Sequence, residues 1–135
     1  MTHSLPAISE KTANDPLARM RAYQLARELL KVAFTDAEEL AANPVTKKIA
    51  GQLYAAVGSI AANLSEGYSR SSGKDRARIF EIALGSTRES MIWYHAATPT
   101  LGDITQQRLD KLEEIRRLLL AIIPRERGRL IRPKH

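Results

Sequence analysis

Glu66 and Glu89 are the carboxylates with the most distinctive surroundings. The first lies in Asn63-Leu64-Ser65-Glu66-Gly67-Tyr68 and the second ends Ala83-Leu84-Gly85-Ser86-Thr87-Arg88-Glu89. Two carboxylates held in one cleft can divide general-acid and general-base work between them. Their spacing here does not demand that. The simpler expectation is that Asn63, Glu66, Ser86 and Glu89 form polar contacts fixing one helix against the next, with Gly85 permitting a close crossing, because buried polar groups need partners.

The segment from Gly67 to Asp75 resembles a phosphate loop only superficially. Five residues separate Gly67 from Gly73 where a phosphate loop has four, Asp75 stands where a magnesium-binding hydroxyl belongs, and a helix precedes it in place of a strand. A nucleotide site of that kind is excluded. A phosphate of a larger polyanion could still be held by Ser71, Ser72, Lys74 and the amides that open the next helix. The histidines, His3, His95 and His135, are far apart in the chain, and no glutamate is followed three residues later by histidine, as a di-iron helix bundle requires. No metal, cofactor or catalytic group is therefore assigned, and the chain reads as non-enzymatic.

The cations are distributed more tellingly. The net charge is +6 over 135 residues. Arg70, Lys74, Arg76 and Arg78 stand against Asp75, a local net of +3, and Arg125, Arg127, Arg129, Arg132 and Lys134 stand against Glu126, a local net of +4. The remainder carries about −1, so the basic excess sits in one corner and one tail. Such a pattern attracts a phosphate backbone, because each neutralised phosphate releases condensed counterions. RNA or DNA is the expected partner class, bound through these nine residues. No zinc-finger spacing or base-stacking signature is present, so recognition would rest on backbone and shape, with little sequence specificity.

These residues need a scaffold. Aromatic residues make up only 5% of the chain, while Ala, Leu, Ile, Arg and Glu recur, which favours helices over strands. There is no cysteine, and no apolar run approaches the roughly 20 residues that span a bilayer, so a cytoplasmic protein without a membrane role is expected. Asn14-Asp15-Pro16 opens a first helix running to about Ala41, with Leu17, Met20, Leu25, Leu29 and Val32 on its apolar face. Asn43-Pro44 opens a second, striped by Val45, Ile49, Leu53, Val57, Ile60 and Leu64 and ending at Gly67. A third, which Ser72 can cap, runs from Gly73 to Ala97 with apolar residues on more than one face, and a fourth follows Asp103 until Pro124 stops it. Short connectors make an antiparallel, up-down-up-down four-helix bundle the simplest all-α architecture. Residues 1–14 read as a flexible arm, 15–123 as the bundle and 124–135 as a basic tail.

The combination of a small-residue helix, an Asn-x-x-Glu-Gly ending at Asn63, Glu66 and Gly67, a basic loop, and a Gly-Ser-x-x-Glu segment at Gly85, Ser86 and Glu89 resembles a known family. Its members are small four-helix bundle proteins encoded within intervening sequences of bacterial 23S ribosomal RNA genes. The resemblance spans about residues 17–123. That family is in turn similar to the accessory variability determinant protein of diversity-generating retroelements, a basic homopentamer that binds nucleic acid and associates with a reverse transcriptase. The resemblance implies a homo-oligomer, specifically a homopentamer, with the motif residues serving fold or assembly. It implies RNA, DNA or a reverse transcriptase as partners. A structural or protein-partner scaffold that touches no nucleic acid is the alternative it leaves open.

Overall fold

The computed structural model describes residues 14–129. Among them there are four long helices and no strand: α1 Arg21–Ala41, α2 Lys47–Tyr68, α3 Gly73–Leu101 and α4 Ile104–Arg127. At 1.5 Å rise per residue they are roughly 31 to 44 Å long. Each packs chiefly on its neighbour in sequence, and α4 closes on α1.

The first helix begins later than the sequence implies. Asp15 accepts from the Leu17 amide at 3.0 Å and caps a 3-10 turn, Pro16–Arg19. Met20 is extended, and this breaks the turn from α1. The side chain of Gln24 donates to the Ala18 carbonyl at 2.8 Å and ties the turn back onto the helix. Asn43 accepts from Val45 in the α1–α2 turn, and this leaves Val45 88% exposed instead of opening the stripe of α2.

Two helices run on through a proline, past the ends expected at Ala97 and Pro124. Pro99 lies inside α3, which runs to Leu101 before Gly102 turns the chain with a φ of 70°, and Pro124 lies inside α4, which continues through Arg127. Proline removes one backbone bond and strains the turn before it, yet Leu101 and Ile123 are buried beside them. Local propensity yields there to packing. Residues 124–127, expected as the start of the tail, are therefore the last turn of α4.

The core is a single cluster that takes Leu25 and Leu29 from α1, Leu53, Val57, Ile60 and Leu64 from α2, Phe80, Ala83 and Tyr94 from α3, and Leu112, Ile115 and Leu119 from α4. Each large side chain contributes about 1.5–3 kcal/mol of burial. At one point the helices approach too closely for any side chain: a Cβ on Gly67 would lie 2.7 Å from the Phe80 ring.

One polar cluster interrupts this core. Asp36 of α1 accepts from the Tyr94 hydroxyl of α3 at 2.7 Å and from Arg108 Nε of α4 at 2.7 Å, with a second Arg108 bond of 3.2 Å. Three helices thus share one buried carboxylate. Further along the same seam Lys111 pairs with Glu28 at 2.7 Å and Arg21 with Glu114 at 3.4 Å. Burial, reinforced by the Asp36 charge, pushes the Tyr94 hydroxyl far above the ordinary tyrosine range.

Gly67→Ala should lower stability by about 1–3 kcal/mol because the buried Phe80 ring has to move. Gly51→Ala, where nothing stands within 4 Å, should raise it by about 1 kcal/mol through helix propensity. Urea denaturation followed by circular dichroism separates the two, and equal effects would contradict the close packing. Asp36→Ala should cost about 2–4 kcal/mol, because it leaves the buried Tyr94 hydroxyl and the largely covered Arg108 guanidinium without their acceptor. The raised Tyr94 pKa stabilises the fold fully below pH about 10, where an unfolded tyrosine begins to ionise, and that contribution is lost as pH rises further. The stability difference between the wild type and Tyr94→Phe should therefore shrink in alkaline denaturation titrations.

Candidate nucleic-acid interface

The basic corner and the basic end of α4 are distant in sequence, and one contact joins them. Ser72 accepts from the Asp75 amide at 3.1 Å and starts α3 at Gly73. A Cβ on Gly73 would lie 2.1 Å from the Glu126 carbonyl oxygen, so glycine alone fits there. Arg76, one turn on, donates to the Tyr68 carbonyl at 3.0 Å, stands 4.6 Å from the Tyr68 ring centroid, and approaches Glu126 at 3.8 Å. Glu126 also receives Arg129 at 2.7 Å, and Arg127 reaches back to Glu81 of α3 at 2.8 Å. Arg70, Lys74, Arg78, Arg125, Arg127 and Arg129 consequently share one end of the molecule.

Arg76 differs from the other expected contact residues. Only 14% of its side chain is exposed. Its guanidinium is committed to Tyr68 and Glu126, so its place is that of a strut under the basic surface. Arg132 and Lys134 lie outside the described residues.

The exposed cations fall into two groups. Arg70 pairs with Glu66, Arg78 with Asp75 at 3.9 Å, and Arg127 with Glu81. Exposed pairs of this kind are worth about 0–1 kcal/mol, little enough for a phosphate to replace the carboxylate. Lys74 and Arg125 are exposed and lack a carboxylate partner among the described residues. Arg19, at the end of the 3-10 turn, joins them, lining the same cavity as Tyr68, Arg125 and Glu126. Sequence reasoning misses it because Leu17 and Met20 place it within the first helix, far in sequence from both basic clusters, and only tertiary packing brings it to them.

The motif residues divide in a way that their spacing does not reveal. Asn63 donates to both the carbonyl and the hydroxyl of Ser59 at 2.8 and 2.9 Å, and Ser59 shares a 2.8 Å hydrogen bond with Ser86. Asn63 and Ser86 thus join α2 to α3 through Ser59, a residue outside the motif. Gly67 serves the Phe80 contact. Glu66 and Glu89 do not bridge the helices, since Glu66 binds Arg70 and Glu89 accepts from the Trp93 indole at 3.0 Å. Gly85 makes no close crossing among the described residues. It is exposed with nothing within 4 Å of its Cβ direction, and Ile82 and Ile92, 49% and 61% exposed, lie on the same helix.

Among the described residues no group of three or more His, Asp or Glu side chains is placed to hold a metal ion. His95 lines a shallow cleft with Thr98, Asp103 and Thr105 at the α3–α4 turn. No helix of the described residues is long and apolar enough to cross a membrane.

The model of the 23S rRNA-intervening sequence protein family matches residues 18–123, from the 3-10 turn to the penultimate turn of α4. No curated protein matches the chain. A match over this span takes in the four helices, the Ser59-mediated polar contact and the basic corner, so the chain belongs to the 23S rRNA-intervening sequence protein family.

Proposed function

We propose that this protein is a non-enzymatic, cytoplasmic homo-oligomer of up-down-up-down four-helix bundles that binds structured RNA or DNA through its basic end, with little sequence specificity. The observation that carries the reading is the convergence of Arg70, Lys74, Arg78, Arg125, Arg127 and Arg129 around the Gly73–Glu126 contact. Two stretches of sequence separated by most of α3 and α4 become one basic surface. The family name, with its reference to ribosomal RNA genes, is consistent with a nucleic-acid setting. The up-down arrangement is supported by the pairs along the α1–α4 seam: Arg21 with Glu114, Glu28 with Lys111 and Asp36 with Arg108. The second partner falls as the first rises.

The homo-oligomer, read as a homopentamer from the resemblance to the accessory variability determinant protein, draws on the exposed face of α3. A glycine with open space above it and two uncovered isoleucines on α3 form apolar surface of the kind that marks protein contacts. The same face favours the second reading, a scaffold for a protein partner such as a reverse transcriptase, without direct nucleic-acid contact.

Neutralising Lys74, Arg125 and Arg127 together to glutamine should weaken RNA and DNA binding and flatten the dependence of log K on log salt by up to about 2.7. Fluorescence anisotropy across a salt series measures both. Undetectable binding of wild type to RNA, DNA and heparin at low salt would favour the scaffold. Gly85→Arg, at an exposed position where an added Cβ has no neighbour within 4 Å among the described residues, should leave helicity intact and shift sedimentation towards monomer. An unchanged sedimentation coefficient would remove this face from the assembly.

A further inference from the structure

The basic end contains a cavity that the charge pattern alone does not explain. About 310 Å³ in volume, it opens between the 3-10 turn, the last turn of α2, and α3 and α4. Buried Phe80 and half-buried Ile122 and Tyr68 give it an apolar, partly aromatic floor. Arg19 and Arg125 line it as exposed cations, and Glu126 brings a largely buried carboxylate. The larger cleft of about 480 Å³ at the α3–α4 turn has no arginine or lysine in its lining and includes Asp103, so it offers a phosphate nothing.

Each element of the lining restricts the occupant. The volume stands at the lower end of the ~300–1,000 Å³ range of small-molecule sites and is far too small for a duplex. An aromatic floor favours a flat, weakly hydrated ring. Two exposed guanidiniums with no carboxylate partner among the described residues favour an anion joined to that ring. The carboxylate of Glu126 repels bare phosphate and accepts from ring or exocyclic N–H groups. A base with its own phosphate meets all of these demands, and single-stranded nucleic acid is recognised in this way, by stacking on side chains within a basic groove. Arg76 holds the pieces in register: it stacks on Tyr68 and approaches Glu126, and its Nε is buried without an acceptor.

We infer that this cavity receives one unpaired nucleotide of the bound nucleic acid, with the base against Phe80, Ile122 and Tyr68 and the phosphates on Arg19 and Arg125. The inference rests on the nucleic-acid reading above and adds to it a preference for unpaired ends or bulges over continuous duplex.

The test uses the full chain and four labelled probes: a blunt RNA duplex, the same duplex with a short unpaired overhang carrying 2-aminopurine, and the DNA version of each. The overhang probes should bind about tenfold more tightly than the blunt ones, with a change in 2-aminopurine emission on binding. The two sugars report whether the site discriminates RNA from DNA. Ile122→Trp, which fills the cavity, should bring overhang affinity down to the blunt-duplex value. Should that variant lose helicity, the double variant Arg19→Gln/Arg125→Gln gives the same readout through the overhang-to-blunt ratio, which should fall towards one. Equal binding of blunt and overhang probes by the wild type, with unchanged 2-aminopurine emission, would overturn the cavity assignment and leave the basic end standing. Failure to bind any probe at low salt would overturn both.

Discussion

The approach of the Gly73 backbone to the Glu126 carbonyl is the constraint on which the basic surface depends. Any larger residue at position 73 would put carbon 2.1 Å from that oxygen, and the end of α4 would have to swing away from α3. Arg76 and Arg127 build on this contact, each tied to a carboxylate of the facing helix that the contact brings into range, while Arg129 pairs locally with Glu126. The charge on the protein is thus organised by a steric fact about its backbone. Without it, the corner and the C-terminal cations would be two weak patches instead of one.

The α1–α4 seam is secured on a different principle. There a single carboxylate, Asp36, is shared by α1, α3 and α4, and it is the one buried charged group in an interior whose other buried polar residues, among those described, are threonine and serine hydroxyls. Replacing such a cluster with hydrophobic residues is often neutral or stabilising, so its value lies more in fixing register than in strength. An apolar seam of Leu, Ile and Ala tolerates sliding by a turn. A bidentate Arg108 on Asp36, with Tyr94 on the same oxygen, does not.

Much of the scaffold is legible in the residues. Apolar spacing locates four helices, and Ser72 identifies the start of α3, because both depend on local chemistry. The errors lie where tertiary packing overrules local preference. Pro99 and Pro124 look like stops, but burial of Leu101 and Ile123 holds the helices through them. Val45 fits the apolar stripe by spacing and still stands in solvent, because the Asn43 turn sets its direction. At the site, the cations are visible as counts, but their convergence is not, since it rests on two glycines whose neighbours come from other helices. Arg76 is indistinguishable in sequence from its exposed neighbours, and only Tyr68 and Glu126 reveal its interior role. Gly85 misleads in the opposite sense: its small size suggests an internal notch, and it faces outward.

That outward face carries the chain's one tryptophan. Trp93 is half-buried, next in sequence to the exposed Ile92, with its indole N–H held by Glu89. An indole so placed, one residue from the uncovered isoleucine and tied to a motif carboxylate, is an intrinsic optical probe. Its emission wavelength and its accessibility to a soluble quencher report whether water or another polypeptide lies over α3, without any label being introduced.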